Sequence, residues 1–299
     1  MTSLMDTMFP NPSSRPAQRT GLAAMPALAL AGSLMAAGAA GAADLMEIER
    51  PPTFLALDQN LWVVTVTATV QATPSFPGSN EYTAIGYPSI SIAKAGTPRR
   101  FSSPDDGISV SLYDSPLFNA GLTAEYVPGR YYGDNRRDLF GLRDAQFAIE
   151  PGVFVEYYPT QWLRARAELR HGIFGHHGFV GSLGADVIQP FDRWQVSVGP
   201  RFNFGDASFA RRYFGVQPFE AALNGTLTPF RPDSYVTVGA LGAATYTFDE
   251  RWAATGYVGY NRIVGSSADS PLVRRQFGSQ NQYTFGVKVN YSFTTQPWF

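Results

Sequence analysis

Near the end of the chain Tyr283, Phe285, Val287, Val289, Tyr291 and Phe293 alternate with Thr284, Gly286, Lys288, Asn290 and Ser292. An extended segment with that pattern has one apolar and one polar face. The same period recurs where Trp62, Val64, Val66, Ala68 and Val70 oppose Thr65, Thr67 and Thr69. It recurs again where Leu163, Ala165, Ala167 and Leu169 oppose Arg164, Arg166, Glu168 and Arg170, and where Trp194, Val196, Val198 and Phe202 oppose Gln195, Ser197, Arg201 and Asn203. Further strands are predicted near residues 84–93, 99–103, 108–113, 120–127, 147–158, 180–189, 235–248 and 253–263. The total is about twelve, with ten as the alternative.

Period two is shared by soluble sandwiches and membrane barrels, so the connections decide. Residues 159–161, 190–193 and 249–251 read as tight turns, whereas residues 129–143, 205–233 and 265–280 read as long polar loops. Short turns on one rim and long loops on the other are the habit of outer-membrane barrels. Trp162, Trp194 and Trp252 each open a strand after a short turn, and Trp62 opens the first strand. With Tyr158 and Phe248 beside them they are expected to form a girdle at the boundary of hydrocarbon and water, where an indole ring is buried and its N–H stays wet. The fold class expected is therefore an all-β, transmembrane, antiparallel up-and-down barrel over residues 61–293, with residues 294–299 as a C-terminal extension.

Composition narrows the function classes. The 299 residues carry a net charge of -1, no cysteine, 16% charged and 14% aromatic residues. A near-neutral chain has no electrostatic reason to bind nucleic acid. Without cysteine there are no disulfides, thiolate zinc sites or cysteine nucleophiles. A mean hydropathy of -0.12 is too polar for a bundle of membrane helices. Arg15 and Arg19 precede an Ala, Leu, Gly and Met run that ends at Ala43, which reads as a secretory signal peptide over residues 1–43, with an uncleaved anchor as the alternative. Residues 44–60 are then a short periplasmic segment, and the expected location is the bacterial outer membrane.

Strand parity assigns Glu125, Glu150, Glu156, Arg164, Arg166, Glu168, Arg170, Asp186, Arg201 and Lys288 to the inner face. If Tyr158 faces Trp162 across the turn at residues 159–161, Glu156 faces Arg164 and Glu150 faces Arg170 as opposite-charge pairs. They line a charged pore or fill a narrow lumen as a polar plug, and a barrel of about twelve strands favours the plug. His171, His176 and His177 are the only histidines. His171 follows Leu169 on the outer face, where no Ser/His/acid constellation assembles, and His176 and His177 read as residues of a glycine loop. No catalytic, cofactor-binding or metal-ligating residue is assigned. Gly286, Val289, Tyr291 and Phe293 resemble the signal that the barrel-assembly machinery reads on a final strand.

Several motifs occur in a telling order: Gly129-Arg130-Tyr131-Tyr132, Leu139-Phe140-Gly141-Leu142, Ala167-Glu168-Leu169-Arg170-His171-Gly172 and Gly175-His176-His177-Gly178. Tyr213-Phe214-Gly215-Val216, Asn261-Arg262-Ile263-Val264 and Ala268-Asp269-Ser270-Pro271-Leu272-Val273 follow. The set resembles the MltA-interacting protein (MipA/OmpV) family over roughly residues 85–293. The resemblance implies a non-enzymatic outer-membrane protein, in some members a scaffold joining a murein transglycosylase to a murein synthase and in others a surface antigen. A narrow diffusion channel for small polar solutes is the alternative that the charged inner positions support.

Overall fold

The computed structural model describes residues 61–94, 100–134, 136, 139–274 and 278–296. The expected signal peptide, the segment 44–60, Arg99, Pro297 and Phe299 lie outside them. Twelve strands occur among these residues: β1 Trp62–Pro74, β2 Tyr82–Lys94, β3 Ile108–Asp114, β4 Phe118–Val127, β5 Ala148–Thr160, β6 Leu163–His171, β7 Ile173–Phe174, β8 Phe179–Phe191, β9 Trp194–Gly205, β10 Tyr235–Thr247, β11 Trp252–Val264 and β12 Asn281–Thr295. They form one antiparallel sheet in the order β2-β1-β12-β11-β10-β9-β8-β6-β5-β4-β3, with the two-residue β7 appended to β5. The sheet curls: Tyr257 of β11 donates to Gln71 of β1 at 2.7 Å across the intervening β12.

The wall is inside out relative to a soluble protein. On β5 Val153, Val155 and Tyr157 are exposed while Glu150 and Glu156 are buried, and on β12 Phe285, Val287 and Val289 are exposed. So continuous an apolar outer band is stable only against hydrocarbon. Trp162, Trp194, Phe248 and Trp252 are exposed at the short-turn rim. Trp194 packs on Tyr246 at 4.8 Å and Trp252 on Tyr291 at 4.7 Å between ring centroids. Trp62 sits at the same rim, paired with Thr295, so β12 runs two residues beyond the expected end at Phe293.

Tyr158 does not belong with them. It is buried on the inner face, where its hydroxyl donates to Glu156 at 3.2 Å, and its neighbour Tyr157 is the outward ring. The reason is local: β5 continues through Pro159 and Thr160, the turn is Gln161-Trp162, and the ladder is irregular between Tyr157 and Thr160. A proline cannot donate to the ladder, which suits an irregular step. The register moves accordingly. Glu156 lies opposite Arg166 rather than Arg164, and Arg170 lies opposite Gly152 rather than Glu150.

Among the described residues, 100–103 do not form the strand expected over residues 99–103, because residues 100–107 take another course. Lys94 ends β2 at the short-turn rim, opposite Trp62, whereas Ile108 starts β3 well up the wall, opposite Ala124. The chain between has to climb, and residues 100–107 do so inside the curled sheet. Arg201 of β9, Arg164 of β6 and Lys288 of β12 all reach this one stretch. Strands so far apart along the ladder meet at one turn only across a bore.

The long loops, expected to be polar, bury apolar side chains. Helix α1, Ala207–Phe214, is capped by Asp206, whose carboxylate accepts N–H bonds from Ser208 and Phe209. Its Phe209, Tyr213 and Phe214 pack with Ala145, Val180, Ile263 and Val273. Helix α2, Pro218–Asn224, adds Ala221 to a second cluster with Leu142, Val216 and Leu272, the last from helix α3, Pro271–Arg274. The loops therefore fold over the rim as a packed cap.

The facing of the wall is testable by substitution. Val287→Arg and Ala165→Arg, both on the exposed face, are each expected to cost about 2 to 4 kcal/mol of folding stability in lipid. Asn290→Arg, on the inner face, is expected to cost less. Denaturant titration of the barrel in bilayers that gave the reverse order would contradict the facing.

Candidate functional site

The inner face carries its charge on one side. Alternation on β6 turns Arg164, Arg166, Glu168 and Arg170 inward, and the same period on β5, β8 and β9 adds Glu150, Glu156, Asp186 and Arg201. The facing strands β1, β10, β11 and β12 contribute mainly hydroxyls and amides, such as Thr69, Thr237, Thr255 and Asn290.

The charged groups join into one alternating network. Arg201 bonds Asp186 at 2.7 Å, Asp186 bonds Arg164 at 2.9 Å, and Glu156 takes Arg164 at 2.5 Å and Arg166 at 2.6 Å. Arg166 continues to Glu168 at 2.6 Å, and Glu168 to Arg170. Arg170 then reaches Glu150 at 3.2 Å and Glu125 at 2.7 Å. The two pairs anticipated from the sequence form, but diagonally, and each is one link in a longer chain. Gly152 makes one link possible: a Cβ there would lie 2.7 Å from Cγ of Arg170.

Two carboxylates come from outside the wall. Ser103-Pro104-Asp105-Asp106 forms a turn in which Ser103 N–H donates to Asp106 at 2.7 Å and Asp106 N–H donates to the Ser103 carbonyl at 3.1 Å. Ser, Pro and Asp suit such a turn because Pro presets its φ and the side-chain oxygens bond the local backbone. Asp105 reaches Arg201 at 2.6 Å and Asp106 reaches Arg164 at 2.7 Å. Lys288 donates to the Pro104 carbonyl at 2.7 Å, and among the described residues no carboxylate pairs with it.

At the cap end the network finishes on His176, which the sequence pattern presents as a loop residue. It is buried, with Nε2 2.8 Å from Glu150 and Nδ1 accepting the Gly178 N–H at 3.2 Å. Because Nδ1 accepts, the neutral ring carries its proton on Nε2 and donates it to Glu150. Gly172 leaves it room, since a Cβ would fall 2.2 Å from the ring. His171 instead packs edge-on against Phe179 at 4.8 Å, and His177 is exposed. Among the described residues no cluster of His, Cys, Asp or Glu has metal-binding geometry.

A cavity of about 290 Å³ lies between the turn at Asp105 and the cap, bounded by Glu125, Arg170, Asn203, Phe209 and Tyr235 among others. Electrostatics also fix the cap above it. Burial pushes the Glu220 carboxyl up, but N–H bonds from Gln217 and Arg143 and the Arg143 guanidinium outweigh that and hold it below the usual carboxylate range. Burial brings the Arg130 guanidinium down to about 10, against the pull of Glu220, and it donates to the Tyr213 carbonyl at 2.7 Å.

Arg164 is the hub, bonded to Glu156, Asp186 and Asp106 while almost wholly buried. Removing one member of a buried charge network strands the others without water. Arg164→Met is therefore expected to cost about 3 to 5 kcal/mol. Arg143→Met, which breaks a pair whose arginine is 60% exposed, is expected to cost about 0 to 1 kcal/mol. Equal losses in denaturant titration would contradict a buried network.

None of the curated proteins matches the chain in sequence. Among solved structures it is similar to an outer-membrane channel from Pseudomonas putida, with 10% identity, 81% of this chain and 99% of that one covered, and a TM-score of 0.40. It is also similar to the outer-membrane channel DcaP of Acinetobacter baumannii, with 9% identity, coverage of 78% and 96%, and a TM-score of 0.32. A third likeness is to Neisserial surface protein A, with 11% identity, coverage of 78% and 97%, and a TM-score of 0.25. The family described as MltA-interacting protein MipA matches residues 66–293, from the first strand to the last. A sheet with its apolar face outward and its charges inward, together with that match over most of the chain, makes this an outer-membrane β-barrel protein belonging to the MipA family.

Proposed function

We propose that this chain is a non-catalytic scaffold in the outer membrane, closed at rest, that holds murein-processing enzymes near the membrane. The family's description names an interaction with the transglycosylase MltA, which makes a murein transglycosylase the first partner class to test, with a murein synthase as the second. The observation that carries the reading is the filled bore: residues 100–107 and the charge network occupy the space a solute would cross. His176, the histidine seated on a carboxylate, is wedged against Phe209 and Tyr213, which suits a structural role. A partner on the periplasmic side would meet the short-turn rim and residues 44–60. The barrel-assembly machinery is the partner during insertion, read through Gly286, Val289, Tyr291 and Phe293.

A gated channel for small solutes is the second reading, and the cavity beside Asp105 is what favours it. Capture separates the two. The purified full-length barrel, immobilised in lipid, is expected to retain a purified MltA-type transglycosylase and to lose it when residues 44–60 are replaced by a Gly/Ser linker. No retention by the parent barrel would overturn the scaffold reading.

Orientation is checked independently, and the absence of native cysteine makes single-cysteine probes clean. His177→Cys, exposed in the long-loop rim, is expected to label from outside intact cells, and Gln161→Cys in a short turn is not. Gly178 is unsuited to the probe, since a Cβ there falls 2.3 Å from Asp206. Surface labelling at position 161 would reverse the orientation.

A further inference from the structure

The carboxylates of Asp105 and Asp106 differ from the others in the bore because the wall does not supply them. They ride on a turn that belongs to no strand, and the groups they engage are fixed to the wall on both sides of it. Arg201 holds Asp105 with Nε at 2.6 Å and also donates to Ser103 Oγ at 2.8 Å. Arg164 holds Asp106 at 2.7 Å, with Arg166 at 3.6 Å, and Lys288 donates from β12 to the Pro104 carbonyl. Apart from this turn, Arg201 and Arg164 share Asp186, Arg164 shares Glu156 with Arg166, and Lys288 has no acid among the described residues.

The level therefore carries more fixed positive than fixed negative charge, and the turn supplies the difference. Guanidiniums fixed by wall carboxylates are preorganised for the paired oxygens of a carboxylate or phosphate. Space is present as well. The Asp105 side chain is 38% accessible, and it opens onto the cavity of about 290 Å³.

We propose that Arg164, Arg201 and Lys288 form an anion-binding site in the bore, and that Asp105 and Asp106 occupy it as an internal pseudo-ligand. The ligand class is a small dianion, a dicarboxylate or phosphate, whose two charges take the places of the two aspartates. Exchange of the turn for such a solute withdraws residues 100–107 from the bore and opens an anion-preferring path. This shares with the scaffold reading the bore filled at rest, but capture of the transglycosylase tests that reading alone and conductance tests this one.

The test uses the full chain in planar bilayers, with folding confirmed by heat-modifiable gel mobility. The parent is expected to be silent. Asp105→Asn with Asp106→Asn is expected to conduct, to show a reversal potential on the anion side in a salt gradient, and to be blocked by millimolar succinate or inorganic phosphate. Adding Arg201→Met is expected to weaken that block at least tenfold. If the double variant fails to fold, Asp105→Asn alone carries the same expectations, since Asp105 touches only Arg201 among the wall cations and Arg201 keeps Asp186. A folded variant that stays silent, a cation-preferring one, or a parent that already conducts as the variant does would overturn the proposal. So would block by neither anion.

Discussion

A wall that shows hydrocarbon-compatible side chains to the outside must dispose of its polar ones within, and everything distinctive here follows from how that inner charge is neutralised. An isolated ion in so confined a space would cost several kcal/mol. Alternating guanidinium and carboxylate avoids this by giving each of the four guanidiniums in the network two or three carboxylate neighbours. Arg164, Arg166 and Arg170 each meet three carboxylates. The wall does not balance itself at the level of Arg201 and Lys288, and the chain completes the balance by passing a loop through its own bore.

That solution links topology to electrostatics. The hydrogen-bonded path holds an odd number of long strands, so β2 and β3 at its two ends run the same way. Such an arrangement requires a return segment, and the turn at Ser103-Pro104-Asp105-Asp106 uses the return to place two acids where the cations are in excess. At the other end, the apolar cap of Phe209, Tyr213 and Phe214 closes over His176 and Glu150. The bore is thus closed by charge at mid-height and by packing at the long-loop rim.

Much of the wall was legible because period two and the inner-face charges are properties of single strands. Leu163 to Arg170 and Tyr283 to Phe293 need no partner to declare their faces. What depends on two elements at once was harder to read. The pairing of Glu156 with Arg164 survives a register that moved by two residues, because long side chains reach diagonally. Tyr158 was misplaced in the girdle although it shares parity with Glu150 and Glu156, and its true side was readable from that. The Ser-Pro-Asp-Asp turn signal was present, but nothing local says that a turn points into a bore. His176 likewise owes its burial to a helix in a distant loop. Arg211 and Arg212 give that loop its polar look, while Phe209, Tyr213 and Phe214 at helical spacing make its buried face.

The central claim is that residues 100–107 lie inside the barrel, held by wall cations. Ser103 is almost fully buried, and cysteine is close to it in size. In the folded barrel in lipid, the most direct measurement is the rate at which a water-soluble methanethiosulfonate modifies Ser103→Cys, compared with Gln161→Cys in the exposed short turn. The account predicts modification at position 103 at least a hundredfold slower, rising to the rate at position 161 on unfolding. Equal rates in the folded barrel would place the segment in open solvent and contradict it.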